Sequence, residues 1–102
     1  MENNDKHQHM FIQLVAIFQT AALQHMGKLK NPMTDKIEQD LHQSQIAIDM
    51  LEMLQVKMKG NLTAEEDKVL GTVLQDLRLN YVDEVMKAQS TAPQVDSSTT
   101  PQ

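Results

Sequence analysis

The sequence predicts an all-α protein of three helices, in which helices two and three form an antiparallel hairpin and helix one packs on it. Apolar residues recur at helical spacing in three segments, glycines or a proline separate those segments, and strand-like alternation of useful length is missing. A chain of 102 residues is short enough for one domain. We expect a helical domain over residues 5–89 and a disordered tail, rich in Ser, Thr, Pro and Gln, over residues 90–102.

The first helix is expected over residues 5–26, with Asn3 or Asn4 as its N-cap and Gly27 as its C-terminal end. Pro32 makes a helix through the following linker unfavourable. The first half of this helix is apolar nearly all round. Because a two-helix hairpin covers only about half of such a helix, the excess apolar surface predicts self-association or a partner, and a dimeric bundle is the expected arrangement.

The second helix is expected over residues 35–59, with Thr34 as its N-cap and Gly60 after its end. It has two apolar stripes. One is the seam Ile37, Leu41, Ile48, Leu51 and Met58, and the other is Ile46, Met50 and Met53. A helix with two apolar stripes needs two partners.

The third helix begins with a capping box, in which Thr63 and Glu66 are spaced so that each side chain can bind a free backbone N–H of the first turn. It is expected to end at about residues 88–89. Its apolar seam comprises Leu70, Val73, Leu74, Leu77, Tyr81, Val85 and Met86. The short turn after Gly60 makes helices two and three an antiparallel pair.

Composition argues against several functional classes. The chain has no Cys, so disulfides and thiolate chemistry are excluded. It has a net charge of −5, three aromatic residues and no basic stripe, which argues against a nucleic-acid partner. The apolar run of residues 10–26 is too short and too polar for a membrane span, and the N-terminus does not resemble a signal peptide, so a cytoplasmic location is expected. The His residues lack metal-ligand spacing, and we expect no metal or cofactor.

Asp49 has large apolar neighbours and allows two interpretations. It could be a partly buried acid or base, or it could form an interhelical ion pair with Arg78, which the antiparallel hairpin brings within about one helical turn. The ion pair is the favoured interpretation. Phosphate-binding glycine loops and nucleophile-elbow patterns are missing from the sequence, so we expect no enzymatic activity.

The chain also resembles a small bacterial family, domain of unknown function 1844. The residues that carry the resemblance are Ile48-Asp49, Leu51, Leu54, Lys57, Lys59-Gly60-Asn61-Leu62-Thr63, Glu65-Glu66, Leu70, Leu74, Leu77-Arg78 and Tyr81-Val82. The resemblance covers about residues 10–85, and Met58 departs from the family's usual Thr. It implies a helical, intracellular bacterial protein, and it brings no established activity, cofactor or catalytic residue.

The expected function is therefore non-catalytic: a small helical homo-oligomer or adaptor. Its expected interface residues are Phe11, Phe18, Ile46, Met50 and Met53. Eight Met residues suit either core packing or an adaptable docking face. The alternative is a peripheral membrane protein that inserts its apolar first helix into the lipid interface, although that helix lacks the basic polar face of such anchors. A small enzyme is a third, less favoured hypothesis.

Overall fold

The computed structural model describes residues 3–91 and contains three helices that all pack against one another. These are α1 (Asn3–Met26), α2 (Leu41–Lys57) and α3 (Ala64–Thr91), and a two-stranded hairpin of β1 (Lys30–Asn31) and β2 (Lys36–Ile37) connects α1 to α2. The predicted all-α fold is confirmed. Residues 92–102, most of the predicted disordered tail, lie outside the described residues, while Ser90 and Thr91 belong to α3.

The end of α1 follows the predicted glycine motif. Gly27 has a φ of 88°, and its N–H donates to the carbonyl of Gln24 at 3.0 Å. The N–H of Lys28 donates to the carbonyl of Leu23 at 2.9 Å. These two bonds form a Schellman motif, which needs a left-handed residue and so favours glycine. The predicted N-cap side chains of Asn3 and Asn4 lie outside the described residues.

The predicted start of helix two at Asp35 is wrong, because residues 30–37 form an antiparallel hairpin. Asn31 Oδ1 accepts a hydrogen bond from the N–H of Met33 at 2.9 Å, and the backbone carbonyl of Asn31 accepts one from the N–H of Asp35 at 2.7 Å. Asp35 then takes a positive φ of 58°, which no helix tolerates as a first turn. Asp40 is the N-cap in place of Thr34, since its Oδ1 accepts the N–H of Gln43 at 3.1 Å. Ile37, predicted in the buried seam, is more than half exposed on β2.

The turn between α2 and α3 matches the prediction. Gly60 has the positive φ of 84° that a glycine after a helix end favours. The helix α2 itself ends at Lys57, two residues earlier than expected. The capping box is confirmed: the N–H of Thr63 donates to Glu66 Oε1 at 2.8 Å, and the N–H of Glu66 donates to Thr63 Oγ1 at 3.1 Å. Glu66 is buried, so this reciprocal pair satisfies a carboxylate that would otherwise be costly to desolvate.

The core lies where the three helices meet. Its buried apolar residues are Val15, Ala22, Met26, Ala47, Ile48, Leu51, Leu70, Leu74 and Leu77. Tyr81 and Val73 pack partly buried against it, as the predicted α3 seam requires. Met86 does not belong to this seam, because nine residues after Leu77 a helix has turned its side chain to the opposite face, where Met86 is exposed.

Candidate interaction surface

A close contact between α1 and α2 sets their antiparallel register. The buried Ser44 Oγ donates to the carbonyl oxygen of Ala22 at 3.1 Å, and the N–H of Asp40 donates to the carbonyl of His25 at 2.7 Å. Both Ala22 and Ser44 are fully buried, and their small side chains allow the helices to approach. This register places Ile17 level with Ile48 and Asp49, and residues nearer the start of α1 level with residues nearer the end of α2.

Apolar side chains on α1 continue outward from this contact. Steps of four residues lead from Ala22 through Phe18 and Leu14 to Met10, turning gradually from the core to the surface. Met10, Leu14 and Ile17 are between 40 and 59% exposed. They therefore form a stripe along the side of α1 that borders α2.

A matching stripe lies on α2. Steps of four lead from the core-packed Leu54 through Met50 to Ile46, and Met53 lies beside them. Ile46 is half-buried, whereas Met50 and Met53 are 43 and 45% exposed. Because α1 and α2 pack antiparallel in this register, the two stripes lie on the same side of the helix pair, and together they are called the α1–α2 apolar face. Its residues are Met10, Leu14, Ile17, Ile46, Met50 and Met53.

The α1–α2 apolar face points away from α3. Contacts with α3 come from the other side of both helices. Arg78 of α3 binds Glu52 of α2, and Gln8 of α1 accepts a hydrogen bond from the Thr63 hydroxyl at 3.1 Å, just before α3 begins. The six residues of the face are therefore left without a covering element among the described residues.

This surface is also free of charge. Residues 7–27, nearly the whole of α1, include no Asp, Glu, Lys or Arg. On α2, Glu52 is directed towards α3, while the exposed Asp49 borders the stripe beside Ile46 and Met53, and Lys57 lies one turn beyond Met53. The chain as a whole has a net charge of −5, so an uncharged surface of this length sets α1 apart from the rest of the protein.

The structure separates the predicted interface residues into two groups. Phe11 and Phe18 are partly buried and pack against the core. Ile46, Met50 and Met53 lie on the α1–α2 apolar face. Sequence reasoning missed Met10, Leu14 and Ile17 as exposed residues, although their spacing of four and three is visible in the sequence. In a helix that is apolar nearly all round, spacing alone does not tell the covered side from the open one.

The predicted ion pair between Asp49 and Arg78 is wrong in its acidic partner. Arg78 Nη2 and Nε bind Glu52 Oε2 at 2.6 and 3.0 Å, while Asp49 accepts a hydrogen bond from Gln45 Nε2 at 2.8 Å. Glu52 is one turn further along α2 than Asp49, so the error is one helical turn. The pair still links α2 to α3, as predicted for Arg78. Asp49 is exposed, and its hydrogen bond to Gln45 lies within α2.

A second polar cluster joins the two ends of the β1–β2 hairpin segment to α3. Lys28 Nζ lies 2.7 Å from Glu84 Oε2 and 3.6 Å from Asp83 Oδ2. Gln39 Nε2 donates to the carbonyl of Met26 at 2.9 Å and to Glu84 Oε1 at 3.1 Å. The hydrogen bond from Lys28 is the main reason that the pKa of Glu84 is lowered, against the opposing effect of burial. The cluster acts as an electrostatic clasp at the end of the bundle where α1 finishes.

Other chemical sites receive little support in the described part of the chain. Within residues 3–91, no group of three or more His, Asp or Glu is placed to hold a metal ion. No helix of that range has the length and apolarity needed to cross a bilayer. The surface depressions are open, such as the groove between the starts of α1 and α3 that is lined by His9, Ile12 and Glu65.

Comparison with known proteins identifies one family. The model of the family described as Domain of unknown function (DUF1844) matches residues 8–83, which include all of α2 and most of α1 and α3. Neither a curated protein nor a solved structure matches the chain. The match spans most of the chain, and the protein belongs to this family.

Proposed function

We propose that this member of the DUF1844 family is a non-catalytic interaction protein that works as a homodimer, with the α1–α2 apolar face as its dimer interface. One observation carries the proposal: six uncharged apolar side chains line the same side of two neighbouring helices, and the elements within residues 3–91 leave five of them at least 40% exposed. Exposed apolar patches of more than a few hundred Å² are rare on monomers and mark interaction sites.

The α1–α2 apolar face is the apolar part of a larger uncharged surface. Its six residues span about 15 Å along the helix axes, and two packed helices are about 20 Å across, which gives a flat footprint of about 300 Å². Each partner in an interface of standard size buries about 800 Å². A dimer through this face therefore also buries the uncharged residues that surround it on α1, within residues 7–27.

Charge favours a second copy of this chain as the occupant. Two copies with a net charge of −5 each repel one another over most of their surfaces. That repulsion is weakest at the α1–α2 apolar face, because its six residues are uncharged, residues 7–27 of α1 carry no charge, and the one neighbouring carboxylate on α2, Asp49, lies at the rim of the face. In a two-fold dimer the same patch meets itself, so apolar side chains meet apolar side chains and no charge is buried.

The alternative of membrane insertion through α1 has weaker support. Val15, Ala22 and Met26 of α1 are buried in the core, so full insertion of this helix into lipid would open the bundle. Apart from Lys6 near its start, the exposed side of α1 also lacks the Lys and Arg residues that attract such helices to anionic lipid. Membrane binding is therefore the alternative outcome, and the lipid co-sedimentation experiment described below tests it.

The test is light scattering coupled to size-exclusion chromatography on the full chain, across a range of concentrations. At the lower concentrations we expect a dimer for the wild type and a monomer for Ile17→Glu, because a charge on the face would be buried without a partner. Val56→Glu is the matched control, since Val56 is an exposed apolar residue on α2 outside the face, and it should leave the dimer intact.

Two results would overturn the proposal. One is a wild type that stays monomeric at every concentration, and the other is an Ile17→Glu variant that dimerises as well as the Val56→Glu control. Co-sedimentation with vesicles of mixed neutral and anionic lipids then tests the alternative. Pelleting of the wild type but not of Ile17→Glu would assign the face to a membrane.

A further inference from the structure

A second apolar stripe lies on the outer side of α3. Leu79, Val82 and Met86 are between 54 and 67% exposed, and they are separated by three and four residues. The same alternation of three and four extends to polar residues in both directions. The whole set, Thr72, Gln75, Leu79, Val82, Met86 and Gln89, is called the α3 seam. This spacing is that of the a and d positions of a coiled coil.

The α3 seam is separate from the α1–α2 apolar face. The core side of α3 carries Leu70, Leu74 and Leu77, against which α1 and α2 pack. Val82 is five residues after Leu77, so it points well away from that side. One further helix can lie on the α3 seam without displacing α1 or α2.

We infer that the α3 seam binds the α3 helix of a second copy in parallel orientation. Arg78 and Asp83 flank the seam and are five residues apart, and in a parallel coiled coil this offset brings the Arg78 of one helix next to the Asp83 of the other. Both side chains keep about half of their surface exposed beside their partners within the chain, Glu52 for Arg78 and Lys28 and Lys87 for Asp83. An antiparallel pair would instead bring Asp76 of one copy near Asp83 of the other, which is repulsive.

The apolar part of the α3 seam is short, and this fixes the expected strength of the contact. The three apolar layers lie between polar layers at Gln75 and Gln89. They make about one and a half heptads, fewer than the three to four heptads typical of a free-standing coiled coil. The association is therefore weak and concentration-dependent. Combined with a dimer through the α1–α2 apolar face, it links dimers into larger assemblies at high protein concentration.

The absence of Cys from the sequence allows a direct test in the full chain. In a parallel pair Val82 faces its own counterpart, at a spacing that permits a disulfide. We expect Val82→Cys to give mainly covalent dimers on mild oxidation, as seen on a non-reducing gel. Asp67→Cys is the matched control, because Asp67 is an exposed residue of the same helix outside the seam, and it should give several-fold less cross-linking. Equal cross-linking of the two variants overturns the inference.

A second measurement separates this inference from the proposed dimer. The double variant Leu79→Glu/Val82→Glu should remove assemblies larger than a dimer and leave the dimer itself, whereas Ile17→Glu should remove the dimer and leave the cross-linking of Val82→Cys. An unchanged size distribution for Leu79→Glu/Val82→Glu at high concentration counts against the α3 seam. If the seam instead accepts a helix from another protein, or the chain's own residues 92–102, Val82→Cys stays monomeric, and this also refutes the inference.

Discussion

Arg78 of α3 holds Glu52 of α2 through two nitrogens of its guanidinium group, with Nη2 2.6 Å and Nε 3.0 Å from the same carboxylate oxygen. The contact joins α2 to α3 on the side remote from the α1–α2 apolar face. Both side chains remain about half exposed, so solvent screens their attraction. The pair sets the alignment of α2 and α3 more than it adds to their stability.

A double-mutant cycle on Glu52→Gln and Arg78→Ala should give a coupling energy of about 0.2–1 kcal/mol, the range for exposed ion pairs. The measurement is urea unfolding of the two single variants and the double variant. The same cycle with Asp49→Asn in place of Glu52→Gln is the control, and it should give a coupling near zero. A coupling that favours Asp49 over Glu52 would contradict the geometry of the hairpin.

Ser44→Ala should lower the free energy of unfolding by about 1 kcal/mol, because it removes the buried hydrogen bond to the carbonyl of Ala22. Ser44→Val should cost more, about 1–3 kcal/mol, since the larger side chain separates α1 from α2 at their close contact. Thr72→Ala, at an exposed position of α3, serves as the control and should change the stability little. Equal effects of Ser44→Ala and Thr72→Ala in denaturant unfolding would contradict this account.

Gly27→Ala and Gly71→Ala should change the stability in opposite directions. Gly27 has a φ of 88°, which strains any residue with a Cβ atom, so Gly27→Ala should destabilise by about 1 kcal/mol. Gly71 lies inside α3, and a Cβ there would meet no atom within 4 Å. Gly71→Ala should therefore stabilise the protein by about 0.5–1 kcal/mol through helix propensity. Thermal unfolding of the two variants checks the opposite signs.

Acid should weaken the clasp between Lys28 and α3. The hydrogen bond from Lys28 lowers the pKa of Glu84 below its ordinary value of 4.5, and the hydrogen bond from Lys87 lowers that of Asp83 below 3.8. A carboxylate whose pKa is lower in the folded state stabilises the fold above its unfolded pKa, and that contribution is lost as pH falls through the folded value. The loss therefore begins near pH 4.5 and continues below it.

The variant Lys28→Met tests this acid dependence. It removes the charge and leaves a side chain of similar length, so the fall in unfolding free energy between pH 7 and pH 3 should be smaller than in the wild type. Lys36→Met is the control, because Lys36 is exposed on β2 and lies outside the clasp. An acid profile for Lys28→Met that coincides with that of Lys36→Met would contradict the clasp.

Elements whose signals are local were predictable from the sequence. Gly27 and Gly60 end their helices in the left-handed conformation that glycine adopts easily, and Thr63 with Glu66 forms the capping box within one turn. These features depend on residues a few positions apart. The start of α2 was not predictable in the same way, because Thr34 and Asp40 are both good N-caps and the choice between them depended on the turn around Asn31 and Asp35.

The sequence by itself therefore determined three helices, their glycine ends, the capping box and a surplus of apolar surface on α1. Tertiary structure alone decided which apolar residues are covered, placing Phe11 and Phe18 against the core and Leu14 and Ile17 at the surface. It also decided that Arg78 meets Glu52 and not Asp49. The physical reason is that helical periodicity gives the angle of a side chain around its own axis, whereas burial and pairing depend on the directions and heights at which neighbouring helices lie.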